Sequence, residues 1–102
     1  MIIHKSKTIE NGVHMSFYVY ILLCADGSLY TGHTKNIDAR WTLHVKGKGA
    51  RYTRMHKPKC VAYVELFGSR SEAIRREREI KKMTRQQKLE LINSQNSNLH
   101  HA

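Results

Sequence analysis

The sequence is poor in cysteine, proline and acidic residues, and it contains no long hydrophobic run. Two cysteines, Cys24 and Cys60, are too few for a disulfide framework or, without histidine, for a four-ligand zinc site. The longest apolar run, residues 17–25, has the length of a strand, whereas a membrane-spanning helix needs roughly 18 apolar residues. The basic N-terminus lacks an apolar signal core. We therefore expect neither a secreted nor a transmembrane protein, but free thiols in a reducing cytoplasm.

The shortage of acidic residues leaves the chain strongly positive. Eighteen lysines and arginines oppose eight aspartates and glutamates, a formal net charge of +10 on 102 residues. Solubility alone does not require so one-sided a charge, which favours a polyanionic partner and nucleic acid above all. An anionic membrane surface would require a basic amphipathic helix with Trp and Phe on its apolar face, and the single Trp41 does not supply one.

A chain of 102 residues has room for one domain and one core. Residues 1–15 are polar and aperiodic, which predicts an N-terminal extension outside the fold. Residues 16–93 carry the periodic patterns and are predicted to form the domain. Residues 94–102 are rich in Asn, Ser and His and are predicted to be a flexible tail.

Local signals within residues 16–93 predict six elements in the order ββαβαα, an α+β domain. An Asp-Gly turn joins the first two strands, and Asn36 is placed to cap the first helix. Capping boxes beginning at Ser69 and Thr84 open the last two helices. The predicted elements are strands over 17–24 and 29–33, a helix over 37–46, a basic loop over 48–59, a strand over 60–67, a helix from 70 to about 83 and a short last helix.

Glu77 interrupts the apolar stripe of the predicted helix that follows Ser69. Ala73, Glu77 and Ile80 share one helical face at i, i+4 and i+7, so this carboxylate is predicted to be partly buried. Carboxylates are rarely buried without a cation. Two interpretations remain open: a salt bridge to Arg40 or another arginine, and a metal ligand or catalytic acid in a cleft. Glu79 is predicted to lie on the solvated face.

The first helix and the hairpin contain further residues suited to phosphate chemistry. Arg40 and His44 lie four residues apart and project from one helical face. Arginine binds phosphate bidentately, and histidine can transfer protons near neutral pH. Tyr20 and Tyr30 lie on the predicted strands, where aromatic residues usually pack but can also accept a proton if a cation lowers their pKa.

Two tripeptides on the hairpin resemble the signatures of the GIY-YIG nuclease family. Tyr18-Val19-Tyr20 is followed by Tyr30-Thr31-Gly32, Arg40 comes ten residues after Tyr30, and Glu77 lies on the later helix. The order and spacing of the residues over 17–92 are similar to the short stand-alone bacterial members, the UPF0213-like group. Tyr18 stands where the first signature has Gly, and Thr31 stands where the second has Ile, so the substitutions spare the candidate reacting groups.

This resemblance implies a three-stranded antiparallel sheet flanked by helices and a catalytic site on its concave face. Glu77 would hold one divalent ion, Mg²⁺ or Mn²⁺, and Arg40 would neutralise charge in the transition state. Tyr30, or Tyr20 together with His44, would take the proton of the attacking water. The sequence does not choose between Tyr20 and Tyr30.

Basic residues cluster in two segments and predict the contacts with nucleic acid. We expect recognition of the backbone and shape of duplex or branched DNA, with one tyrosine able to stack on a base. The predicted contacts are Lys46, Lys48, Arg51, Tyr52 and Arg54 after the first helix, and Arg76 and Lys81 on the later one.

The resemblance implies a metal-dependent endonuclease that hydrolyses DNA phosphodiester bonds, in repair or recombination. The alternative is a non-catalytic nucleic-acid-binding domain that retains the nuclease fold. A basic protein associated with RNA or the ribosome would explain the charge but not the Tyr20, Tyr30, Arg40 and Glu77 set. We expect a monomer. In related repair enzymes this module works beside other domains, so the resemblance also allows a protein partner for targeting.

Overall fold

A computed structural model gives the backbone of residues 16–100 and the side chains of residues 16–96. Its three strands are β1 (Phe17–Cys24), β2 (Leu29–Thr34) and β3 (Pro58–Phe67). They form one antiparallel sheet in the order β2-β1-β3, so among residues 16–100 β1 is the central strand and β2 lies at an edge. The prediction of an N-terminal extension over residues 1–15 lies outside the described residues.

The described residues also form four helices: α1 (Ile37–Val45), α2 (Arg51–Met55), α3 (Arg70–Lys81) and α4 (Arg85–His100). The predicted α+β class and the order ββαβαα are confirmed, with α2 as one additional short helix. Within the described part of the chain, no helix is long and apolar enough to cross a membrane.

The capping signals in the sequence mark the helix starts. The Asn36 side chain accepts a hydrogen bond from the Ala39 N–H at 3.0 Å and caps α1. The Ser69 hydroxyl accepts the N–H of Glu72 at 3.2 Å, before α3. Polar side chains thus satisfy backbone donors that have no partner within the helix, and this fixes where α1 and α3 begin.

The central strand divides the core into two layers because its side chains alternate between the two faces of the sheet. Val19 and Ile21 pack in one cluster with Ala73 and Ile80 of α3. On the opposite face, Tyr20 packs in a second cluster that includes Leu22 of β1 and Ile37 of α1. The helix α1 therefore covers the face that carries Tyr20, and α3 covers the other.

Two segments differ from their predicted form. The basic loop predicted over 48–59 contains α2, and β3 already begins at Pro58. Five residues are too few for a helical period to show in the sequence, and Thr53, which is only 2% exposed, anchors this helix through polar contacts. The backbone of α4 is helical as far as His100, well into residues 94–102. The boundary of the predicted tail stays a prediction.

Candidate active site

Tyr20, Tyr30 and His44 meet on the α1 face of the sheet. The Tyr20 hydroxyl oxygen lies 2.9 Å from Nε2 of His44 in a buried hydrogen bond. The ring centroids of Tyr30 and His44 are 5.4 Å apart, and those of Tyr20 and Tyr30 are 6.3 Å apart. The other nitrogen of His44, Nδ1, lies 2.7 Å from the Thr53 hydroxyl of α2. Residues from β1, β2, α1 and α2 thus form one cluster.

Two glycines permit this close packing. A Cβ atom on Gly32 would lie 2.6 Å from the Tyr20 hydroxyl and 3.0 Å from Cε2 of Tyr30. A Cβ atom on Gly49 would lie 2.9 Å from Cγ of the His44 ring. Real Cβ atoms do not approach other atoms so closely. The glycine of the second signature is therefore required because the β2 backbone lies directly against a catalytic candidate.

Burial controls the ionisation of the Tyr20–His44 pair. Desolvation raises the pKa of Tyr20 to about 12, although the neighbouring Arg40 opposes this shift. Desolvation, together with the positive charge of Arg40, lowers the pKa of His44 to about 4. At neutral pH the pair therefore consists of a phenol and an uncharged imidazole, each held in the form that burial favours.

Arg40 lies beside the two tyrosines and has no carboxylate partner among residues 16–96. Its Nε atom is buried, and within the same residues it has no hydrogen-bond partner. Hydrogen bonding to Tyr20 raises the pKa of Arg40, so its guanidinium remains charged. A charged group with an unsatisfied buried donor is costly unless an anion binds to it.

Glu77 faces β2 from α3, and two side chains contact its carboxylate. Its Oε1 atom lies 2.6 Å from Nδ1 of His33, and its Oε2 atom lies 2.8 Å from Nζ of Lys81. The predicted salt bridge to Arg40 or another arginine is therefore not the contact that Glu77 makes. Burial opposes ionisation of Glu77, but hydrogen bonds from Lys81 and His33 outweigh it and lower its pKa.

Glu77 is close enough to the tyrosine cluster for its charge to contribute to the raised pKa of Tyr20. Mg²⁺ is typically bound by one or two carboxylates, with water and substrate phosphate as its other ligands. A single ionised carboxylate, such as that of Glu77, can supply one ligand to such an ion. Among the described residues, no group of three or more His, Cys, Asp or Glu side chains is placed to bind a metal, so the donors do not fit a structural zinc site.

The basic residues predicted to bind DNA separate into two groups. Arg76 bridges Glu65 of β3 at 2.9 Å and Glu79 at 3.0 Å, so its charge is neutralised within the fold. The Glu79 side chain is 55% exposed, as predicted. Lys46, Lys48, Arg51 and Arg54 are exposed on α2 and on the segment between α1 and α2, and Lys81 is 52% exposed beside Glu77.

Tyr52 takes part in an aromatic stack that leads away from the site. Its ring stacks on Tyr30, with centroids 5.8 Å apart, and on His56, with centroids 4.0 Å apart. Nδ1 of His56 lies 2.7 Å from Asp26 in the β1–β2 turn. Because Tyr52 already has two ring partners, its observed contacts attach α2 to the hairpin. Stacking of Tyr52 on a base stays a prediction.

Three residues of this site did not emerge from the sequence: His33, Gly49 and Thr53. Strand alternation could have found His33, because it follows the second signature directly and points to the face that α3 covers. Gly49 and Thr53 lie against His44 because the segment after α1 folds back over the ring. No periodic pattern in the sequence predicts that conformation.

Residues 16–90 match the family described as the GIY-YIG catalytic domain. This match covers most of the chain, and the chain therefore belongs to the GIY-YIG family. Its relatives include the UPF0213 protein SH2523 of Staphylococcus haemolyticus, 56% identical over 75 residues that cover 74% of this chain and 92% of the relative. A UPF0213 protein of Staphylococcus aureus is 51% identical over 77 residues, covering 76% and 94% of the two chains.

Solved structures of similar proteins share the fold. The solution structure of the UPF0213 protein BH0048 from Bacillus halodurans is 46% identical, with a TM-score of 0.51 over 78% of this chain and 84% of that chain. The solution structure of EF2693 from E. faecalis is 41% identical, with a TM-score of 0.56 over 79% and 86%. The predicted kinship with the short stand-alone bacterial members is confirmed.

Proposed function

We propose that this protein is a metal-dependent endonuclease that hydrolyses DNA phosphodiester bonds. One observation carries the proposal: the buried Nε of Arg40 has no partner among residues 16–96, beside Tyr20, Tyr30 and His44. A phosphodiester would supply the anionic acceptor that this guanidinium lacks. Arginine binds phosphate oxygens through its directed N–H groups. The same arginine would neutralise the charge that develops on phosphorus oxygens in the transition state.

Tyr20 and His44 would together remove the proton of the attacking water. With a pKa of about 12, Tyr20 is a phenol at neutral pH and can accept a proton only if it releases its own. The nearest acceptor is Nε2 of His44, 2.9 Å away. This geometry favours Tyr20 over Tyr30 as the group next to the water. Bound DNA would also oppose the effect of Arg40 on His44, because its phosphate brings a negative charge that raises the pKa of the imidazole.

Glu77 would hold one divalent ion, Mg²⁺ or Mn²⁺. When bound, such an ion stabilises the negative charge on the phosphate and the leaving oxygen. His33 orients the carboxylate through its 2.6 Å contact with Oε1. Lys81, which is exposed and flexible, can leave Oε2 and contact DNA phosphate instead.

DNA binding would depend on the exposed cations near the site. Lys46, Lys48, Arg51 and Arg54 can neutralise backbone phosphates. We propose recognition of backbone and shape in duplex or branched DNA, since exposed lysines and arginines are suited to phosphate contacts. We further propose a monomer that acts in the cytoplasm in DNA repair or recombination, with a partner protein for targeting.

Cleavage of supercoiled and branched DNA in Mg²⁺ or Mn²⁺ tests the proposal. Glu77→Gln should abolish cleavage and weaken Mn²⁺ binding while DNA binding persists. Its free energy of unfolding should change by less than about 1 kcal/mol, because Gln can still accept a hydrogen bond from His33 and the lost Lys81 pair is half exposed.

Glu79→Gln is the matched control, because this exposed carboxylate lies on the same helix but pairs with Arg76. It should leave cleavage, metal binding and DNA binding unchanged. A Glu77→Gln protein that cuts DNA at the wild-type rate would contradict the assigned role of this carboxylate.

The alternative function is DNA binding without cleavage. The occupation of both Glu77 oxygens by His33 and Lys81 favours it, because a carboxylate whose two oxygens already have partners within the fold needs no metal. In that case the wild-type protein would bind DNA in a salt-dependent manner but leave every substrate intact in either metal. Neither Mg²⁺ nor Mn²⁺ would then raise its melting temperature.

A further inference from the structure

The imidazole of His44 lies between two buried hydroxyl groups, one at each ring nitrogen. Nε2 lies 2.9 Å from the Tyr20 hydroxyl, and Nδ1 lies 2.7 Å from the Thr53 hydroxyl. His44 is 0% exposed, and Thr53 is 2% exposed. Bulk water therefore cannot exchange protons freely at Nδ1, and the hydrogen-bond partners decide which ring nitrogen carries the proton.

Thr53 has a second contact that fixes the direction of its own hydrogen. Its hydroxyl donates to the backbone carbonyl of Ala50 at 3.0 Å. A hydroxyl has one hydrogen and two lone pairs, so Thr53 can then only accept a hydrogen bond from His44. Nδ1 must supply that hydrogen. Because a neutral imidazole carries one proton, Nε2 presents a lone pair to Tyr20, and the Tyr20 hydroxyl donates to it.

The opposite arrangement would place the imidazole proton on Nε2, facing Tyr20. His44 could then accept no proton from Tyr20, and Tyr20 could accept none from water without becoming charged in a buried site. Gly49 helps to exclude alternative ring positions, because its backbone lies directly against the ring of His44. Gly49 and Thr53 would therefore affect the chemistry through the ring of His44.

We propose that Thr53 is a positioning residue that selects the Nδ1–H tautomer of His44 and so makes Nε2 the proton acceptor for Tyr20. The inference rests on the proposed function for its catalytic consequence, whereas the tautomer can be observed in the protein without DNA or metal.

The test combines NMR of the ¹⁵N-labelled histidine ring with cleavage kinetics on Thr53→Val and Thr53→Ser. The wild type and Thr53→Ser should show a protonated Nδ1 and an unprotonated Nε2 on His44. Thr53→Val keeps the side-chain volume but removes the acceptor, so the proton should shift to Nε2. Its kcat should fall about 100-fold, the usual scale of a misplaced general base, with KM changed less than about twofold. Thr53→Ser should recover kcat to within a few-fold of wild type.

Thr42→Val is the matched control. The Thr42 hydroxyl also donates to a backbone carbonyl, that of Asp38 at 3.0 Å, but it lies on the exposed side of α1. This variant should alter neither the His44 spectrum nor kcat.

A protonated Nε2 in the wild-type protein would overturn the proposal, as would an unchanged His44 tautomer and kcat in Thr53→Val. If Thr53→Val does not fold, the wild-type and Thr53→Ser spectra still decide it. A wild type that cuts no DNA but shows the Nδ1–H tautomer would refute the proposed function and leave the assignment of Thr53 to His44 standing.

Discussion

Acidification should destabilise the fold through His44. Burial, with the charge of Arg40, lowers the pKa of this imidazole from its usual 6.5 to about 4. The unfolded chain therefore binds a proton at a pH where the folded protein does not. The stability that His44 contributes in its neutral form is complete above about pH 6.5 and is lost as the pH falls towards 4. Since one pKa unit corresponds to about 1.36 kcal/mol, the loss over this range amounts to roughly 3 kcal/mol.

Urea unfolding of the wild type and of His44→Gln between pH 7.5 and pH 4.5 measures this contribution. Glutamine cannot titrate, so the variant should lose less stability on acidification than the wild type does. Asp26 and Glu77, whose hydrogen bonds lower their pKa values, contribute stability that is lost at still lower pH and is common to both proteins. Parallel curves of unfolding free energy against pH for the two proteins would refute a buried neutral His44.

Three further predictions concern packing, charge and chain length. Gly32→Ala should lower the free energy of unfolding in urea by about 1–3 kcal/mol, because the new Cβ would overlap the Tyr20 hydroxyl. Gly68→Ala is the control and should cost far less, because its Cβ would meet no atom within 4 Å. Duplex DNA binding, followed by fluorescence anisotropy, should have a log–log salt slope of roughly −5 to −7; a slope near zero would exclude nucleic acid. Removal of residues 1–14 should leave the melting temperature within a few degrees, and a large drop would place Ile2, Ile3 or Val13 in the core.

The elements that follow from local chemistry were predictable from the sequence. Asn36 and Ser69 mark the starts of α1 and α3 because their side chains satisfy backbone donors only a few residues away. The face of the sheet on which each β3 side chain lies was harder to predict from the sequence. Strict alternation would place Val61 and Tyr63 on one face, yet they join opposite clusters because the register with β1 shifts between Ile21 and Leu22. That irregularity is a property of two paired strands and is not encoded in either alone.

The candidate site likewise combines residues that the sequence predicts with contacts that it does not predict. Helical spacing places Arg40 and His44 on one face, and the interrupted apolar stripe identifies Glu77. The contacts that give these groups their properties come from segments remote in sequence. His33, 44 residues before Glu77, holds its carboxylate, and Thr53 holds the ring of His44. Sequence reasoning could therefore find the candidate reacting groups but not the residues that contact and orient them.

The strand β2 lies between groups of the proposed site that occupy opposite faces of the sheet. Tyr20 lies under α1, whereas Glu77 reaches β2 from α3, on the other face. Among the described residues no strand pairs with the outer edge of β2, so this strand forms a rim of the sheet, and both groups reach it: Tyr20 packs against Tyr30, and Glu77 contacts His33. Gly32 adds no side chain at this rim, and the charge of Glu77 influences the ionisation of Tyr20. The two groups of the proposed site are therefore linked through β2, by Tyr30 on one face of the strand and His33 on the other.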